Sequence, residues 1–178
     1  MKRRDVLAAT ASAVALLLLE RLAADHLRAD GTHLATIRSR TQVAAPRRRV
    51  WDELADLEGQ TRWMHDAKQI RLLGAGPAGV GTRAEADVRI LGIGLRDPVR
   101  ITAWEPPARF EIEHLGRFRG RGTFRLEETA AGTTRVTWDE TLLPPVLPTA
   151  VALLLRPILR RVFRADLERL ARLAERAG

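Results

Sequence analysis

Two residues in this chain could share acid–base work, His114 and Glu140. Each closes an alternating stretch. Phe110, Ile112 and His114 share one parity against Glu111 and Glu113, and Val136, Trp138 and Glu140 share one against Arg135, Thr137 and Asp139. Strands with that alternation send one parity to an apolar face, so His114 and Glu140 are expected at the polar end of two inward-facing rows. An imidazole near its ordinary pKa is suited to donate or take a proton, and an inward carboxylate beside Trp138 needs a partner. The alternative is that both residues stand at strand ends where the face meets water. His65, after Trp63-Met64, is either at a pocket mouth or in a solvated turn. His26 and His33 belong to the N-terminal tail.

Other chemistries are excluded or unsupported. The chain has no Cys, which removes thiolate metal sites, disulfides and Cys nucleophiles. The 4 His carry no Asp or Glu at metal-ligand spacing, so no metal and no cofactor is expected. Ser12 and Ser39 have no triad context. Gly74 to Gly81 is glycine-rich but lacks the Lys-Ser/Thr of a phosphate loop, and reads as a hairpin loop at a cavity rim.

The elements that must position these residues form a series. A strand is expected from Leu34 to Val43. A helix begins at Pro46 and carries Val50, Trp51, Leu54 and Leu57 at helical spacing. A short helix or turn lies around Thr61–His65, and six strands lie between Lys68 and Glu140. The last helix aligns Leu155, Leu159, Val162, Phe163, Leu167, Leu170 and Leu173 on one stripe, with Pro157 either kinking it or sitting in its first turn. Serial two-sided strands followed by one long helix point to an α+β domain. In it, a curved antiparallel sheet of about seven strands grips a C-terminal helix around a cavity.

Local motifs agree with that order. Val43-Ala44-Ala45-Pro46 with Val50-Trp51-Asp52, then Asp56-Leu57-Glu58 and Trp63, resemble the first strand and helices of the START-like helix-grip superfamily (SRPBCC). Gly81-Thr82, Glu105-Pro106-Pro107-Ala108-Arg109-Phe110 and Gly132-Thr133-Thr134-Arg135-Val136-Thr137-Trp138 resemble its strand openings and last strand. Within it, the polyketide cyclase/dehydrase and lipid transport branch is the most similar. The resemblance implies a ligand-binding domain over residues 34–176 and says nothing of the tail, residues 1–30. Trp138, Phe124, Phe110, Ile112, Leu126, Val136, Val88 and Trp63 are expected to line the cavity. The function expected is binding or transport of a small hydrophobic or amphipathic ligand such as a lipid or polyketide. One alternative is a cyclase or dehydratase using His114 and Glu140; another is a non-catalytic interaction module.

Charge and the tail bear on partners. Lys+Arg 30 against Asp+Glu 22 gives +8, almost all of it arginine. This fits either the codon bias of a GC-rich genome or attraction to an anionic membrane surface. With 4% aromatics and no Tyr, stacking platforms are scarce and nucleic acid is not an expected partner. Lys2-Arg3-Arg4 precedes the uncharged run Val6–Leu19, and Arg3-Arg4-Asp5-Val6-Leu7 partly resembles a twin-arginine export motif. The run is shorter than the ~20 residues of a spanning helix. It is read as an anchor or interfacial helix, an export signal, or a helix packed on the domain. A membrane-associated or exported protein is therefore expected, with a soluble cytoplasmic one as the alternative. Leu142 to Leu155 is uncharged, with prolines and leucines, and is expected to be a lid that dips into lipid or the buried first turns of the last helix. Leu147, Leu153, Leu154, Arg156 and Arg160 are its candidate membrane contacts.

Overall fold

The computed structural model describes residues 10–22, 36–90, 92–130, 132–143 and 148–176. A helix over residues 10–22, α1, comes first. Within residues 36–176 the order is β1 (Thr36–Val43), α2 (Arg47–Ala55), a 3₁₀ turn (Glu58–Arg62), β2 (Ala67–Leu73), β3 (Arg83–Ile90), β4 (Ile93–Glu105), β5 (Arg109–His114), β6 (Arg119–Ala130), β7 (Thr133–Leu143) and α3 (Pro148–Arg176). The seven strands form one antiparallel sheet in the order β1-β7-β6-β5-β4-β3-β2. Every neighbour except β1–β7 is a hairpin, and α2 with the 3₁₀ turn carries the chain between the two edges, β1 and β2.

The expected α+β helix-grip architecture is what the chain adopts. Register shifts between Ala67 and Gln69 and between Ile101 and Ala103 interrupt the ladders, and such irregularities bend strands and increase their twist. The concave face holds α3, which buries Leu159, Phe163, Leu167, Leu170, Ala171 and Ala174 at three- and four-residue steps. Val50, Trp51 and Leu54 of α2 join the same core. Pro46 is the residue before the first turn of α2 rather than inside it, and Pro157 lies within α3.

The convex face is an arginine–carboxylate lattice. Arg38 and Arg125 hold Asp139, Arg71 and Arg96 hold Glu85, and Arg109 and Arg121 hold Glu111. Glu111 is buried beneath its partners, and Thr102 and Thr123 also donate to it. Burial opposes the charge of Glu111, but hydrogen bonds from Arg109 and Thr102 outweigh it and hold the carboxyl below its ordinary pKa. Much of the arginine excess thus sits on the wet face as local pairs.

Candidate functional site

The cavity lies against a row of aromatic residues. Phe110, Phe124 and Trp138 are register partners on β5, β6 and β7. Phe124 stacks on Trp138 with ring centroids 4.8 Å apart, and Phe163 of α3 closes on Trp138 at 4.4 Å. Trp63 meets Phe124 and Trp138 edge-on. Such aromatic contacts each add about 0.5–1.5 kcal/mol beyond their buried area, so this row is a rigid wall.

In the next two rows Ile112 pairs with Gly122 and Glu140 flanks it, then His114 pairs with Gly120 and Leu142 flanks it. β6 therefore has no side chain at two successive inward positions. On the far flank the inward residues Ala84 and Ala86 are small. A cavity of about 420 Å³ lies between sheet and α3, with Phe110, Phe124, Trp138, Ile112, Val88 and Phe163 in its apolar wall.

Gly122 is also what joins the two candidate chemical residues. A Cβ there would lie 2.5 Å from Oε2 of Glu140; without it, Glu140 reaches across β6 to β5. The Nε2–H of His114 donates to Oε1 of Glu140 at 2.8 Å, and its Nδ1–H donates to Oδ2 of Asp97 at 2.6 Å. The indole Nε1–H of Trp138 donates to the other Glu140 oxygen at 2.8 Å. Gly116 gives the Asp97 carboxylate its space in the same way, since a Cβ there would stand 2.6 Å from Oδ1. That oxygen is buried and accepts no hydrogen bond.

His114 is 12% exposed in its side chain. Burial pushes its pKa down, but the charge of Glu140 and the hydrogen bonds to Asp97 and Glu140 push harder, raising it to about 10. The ring is therefore an imidazolium at neutral pH, with both N–H groups already committed. It cannot act there as a base; it can act as an acid or donor only when one carboxylate gives way.

Five of the eight expected lining residues are in the cavity wall: Trp138, Phe124, Phe110, Ile112 and Val88. Leu126, Val136 and Trp63 are buried in the packed core instead and do not reach it. His114 and Glu140, expected at a shared face, are in direct contact rather than flanking a ligand oxygen. The wall is more polar than the sequence indicated: Gln60, Asp66, Asp97, Arg117 and Asp166 also line it. Asp166, on α3, accepts from the His65 backbone N–H at 3.0 Å and from Arg169 at 2.6 Å. Burial, the largest influence, raises the pKa of both Asp66 and Asp166. Asp97 shares its parity with Leu95 and Val99 and so had a readable face; Asp166 sits next to Leu167 on the buried stripe. His65 contributes its backbone only, and Gly74–Gly81 connects β2 to β3 away from the cavity wall.

The lid segment divides. Leu147 lies outside the described residues. From Pro148 onward the chain is α3, where Leu153 and Leu154 are exposed and Arg156 and Arg160 follow within the helix.

The shape of the whole is widely shared. The aromatase/cyclase Zhui from a Streptomyces species is 22% identical, with a TM-score of 0.66 over 79% of this chain and 93% of that one. A protein of Thermus thermophilus is 20% identical, with a TM-score of 0.66 over 80% and 99%. A hypothetical protein of Helicobacter pylori is 13% identical, with a TM-score of 0.69 over 81% and 90%. No curated protein matches the chain. At such identities the likeness establishes the fold. The family model described as polyketide cyclase / dehydrase and lipid transport matches residues 35–175, which is most of the chain, and the protein belongs to that family.

Proposed function

We propose that this domain binds a small amphipathic molecule whose apolar body lies against the Phe110–Phe124–Trp138 row and whose polar group is a hydrogen-bond donor. The observation that carries this is the cavity of about 420 Å³ between sheet and α3, apolar along the Phe110–Phe124–Trp138 row and with Asp66, Asp97, Glu140 and Asp166 among its lining residues. Asp97, Glu140, Asp66 and Asp166 offer acceptors, and the Oδ1 of Asp97 has no partner. A hydroxyl or phenol can donate to that wall, whereas a carboxylate would meet four acidic side chains against three cations, Arg96, Arg117 and the His114 imidazolium.

The test uses intrinsic tryptophan fluorescence, since Trp138 is in the wall. The protein is titrated with 2-naphthol and with 2-naphthoate, and the titrations are repeated in Val88→Phe, which fills the cavity. Naphthol is expected to bind at least tenfold more tightly than naphthoate, and Val88→Phe to weaken it by a similar factor. Unchanged binding in that variant would remove the cavity as the site.

The buried Asp97–His114–Glu140 chain favours a second reading, proton donation to a bound polyketone in a cyclisation or dehydration. Full occupation of both ring nitrogens makes it the weaker one. Cyclised product from a linear poly-β-ketone mimic, lost in Glu140→Gln with the fold retained, would promote it.

Membrane association belongs to the same proposal. α1 exposes Val14, Leu16, Leu17, Leu18, Leu19 and Leu22, and α3 exposes Leu153, Leu154 and Ile158. The Ala150 N–H donates to Oε2 of Glu20 at 3.3 Å, which joins the two helices at that point. No described helix is long and apolar enough to cross a membrane. An interfacial position for both helices is the reading this favours.

A further inference from the structure

The carboxylates of the apolar cavity stand at two separate places. Glu140 follows Trp138 by two residues along β7, and Asp166 follows Phe163 by three along α3. The rings of Trp138 and Phe163 meet, with centroids 4.4 Å apart. β7 and α3 run in opposite senses: β1 is antiparallel to β7, and α3 finishes beside the end of β1, where Glu175 accepts from the Ala44 N–H at 2.9 Å. Glu140 and Asp166 therefore lie on opposite sides of the Trp138–Phe163 contact, with roughly 10 Å between their backbones along it. Both line the same cavity.

Asp166 has one oxygen to spare. Its side chain is only 3% exposed. The His65 N–H at 3.0 Å and the Arg169 guanidinium at 2.6 Å both donate to Oδ1, and among the described residues nothing donates to Oδ2. Gln60, in the same cavity wall and 7% exposed, commits its Nε2–H to the Leu54 carbonyl at 2.8 Å, and its Oε1 likewise has no donor among the described residues. Buried acceptors left unpaired are costly, and the cavity is the space from which a donor can reach them. Burial raises the pKa of Asp166 most, and the nearby charge of Asp66 adds to that, so a further negative group has no place here. Arg169 already balances the charge of Asp166, so a neutral hydroxyl suits this place better than an ammonium group.

We infer that the cavity holds its ligand at both ends: one hydroxyl donates to the Asp97–Glu140 wall, and a second, at the far end of the apolar body, donates to Oδ2 of Asp166. The ligand class is a diol or diphenol whose apolar middle lies against Phe110, Phe124 and Trp138. This second contact presupposes that a hydroxylated molecule binds in the cavity, as proposed above, and adds a recognition point on α3.

The experiment is calorimetry on the full-length chain with three probes of one ring system: 2-naphthol, 2,6-dihydroxynaphthalene and 6-methoxy-2-naphthol. The last has an oxygen where the diol has its second hydroxyl but no hydrogen to donate. The diol is expected to bind at least tenfold more tightly than either of the others. In Asp166→Asn, Oδ1 can still accept from His65 and Arg169, while a donor amide replaces Oδ2. There the diol is expected to come within threefold of 2-naphthol, and 2-naphthol itself to bind within threefold of wild type. The melting temperature checks that the variant is folded, and the comparison of probes on the unaltered chain stands without it. Equal affinity of the three probes for the wild type, or an undiminished diol advantage in folded Asp166→Asn, would overturn the second contact and leave single-hydroxyl binding in place. Failure of all three probes to bind would remove the proposed function together with it.

Discussion

His114 shows how little a residue's identity says about its chemistry until its partners are known. By type it is a near-neutral acid–base group; between Asp97 and Glu140 it is a buried cation with a pKa of about 10. The linkage sign follows from that. A folded-state pKa above the ordinary value near 6.5 means the stabilisation is fully present below about pH 6.5 and is lost as pH rises through about 10. The alkaline window is unusually clean in this chain, because there is no Tyr or Cys and only Lys2 and Lys68 carry ammonium side chains. The melting temperature is therefore expected to fall between pH 7 and pH 10.5, and the imidazole resonances of His114 to keep imidazolium shifts at pH 8. A flat melting profile, or a neutral tautomer at pH 8, would show that the two carboxylates do not hold the proton. Gly122 and Gly116 belong to the same account, as the absence of a Cβ at each gives a carboxylate its place.

At the scale of the element, α3 has two different halves. From Leu159 to Ala174 it supplies the core stripe, and before that it exposes Leu153 and Leu154, the latter 72% accessible. Exposed positions away from special contacts usually change stability by no more than about 0.5 kcal/mol on substitution. Leu154→Asp is thus expected to leave the melting temperature within about two degrees of wild type while reducing vesicle co-sedimentation severalfold. A collapse of the melting temperature would show that this turn is packed after all. The apolar run from Leu142 to Leu155 announced something other than an ordinary solvated loop. Periodicity alone could not say which part was helix or which leucines would be covered, because coverage depends on where the sheet ends beneath it.

For the whole molecule, a tail separable from the domain is expected, because among the described residues α1 exposes its apolar side chains and the buried core draws on residues from Ile37 onward. Deleting residues 1–30 is expected to yield a folded, monodisperse domain that retains naphthol binding and loses membrane fractionation; an aggregated product would mean that α1 covers the domain. The strand series, the α2 and α3 stripes and the inward parity of Phe110, Phe124 and Trp138 were legible in the sequence, since alternation and helical spacing are local properties of the chain. The double glycine of β6, Gly120 and Gly122, was visible as well, but its meaning, room for the Thr141 carbonyl and the Glu140 carboxylate, needed the register that sets Ile112 and Glu140 on either side of Gly122. Asp97 against His114 and Glu140 against His114 across Gly122 join residues far apart in the chain. Only tertiary structure decided those meetings, because sheet register and the seat of α3 are fixed by the packing of the whole core and not by any segment's own pattern.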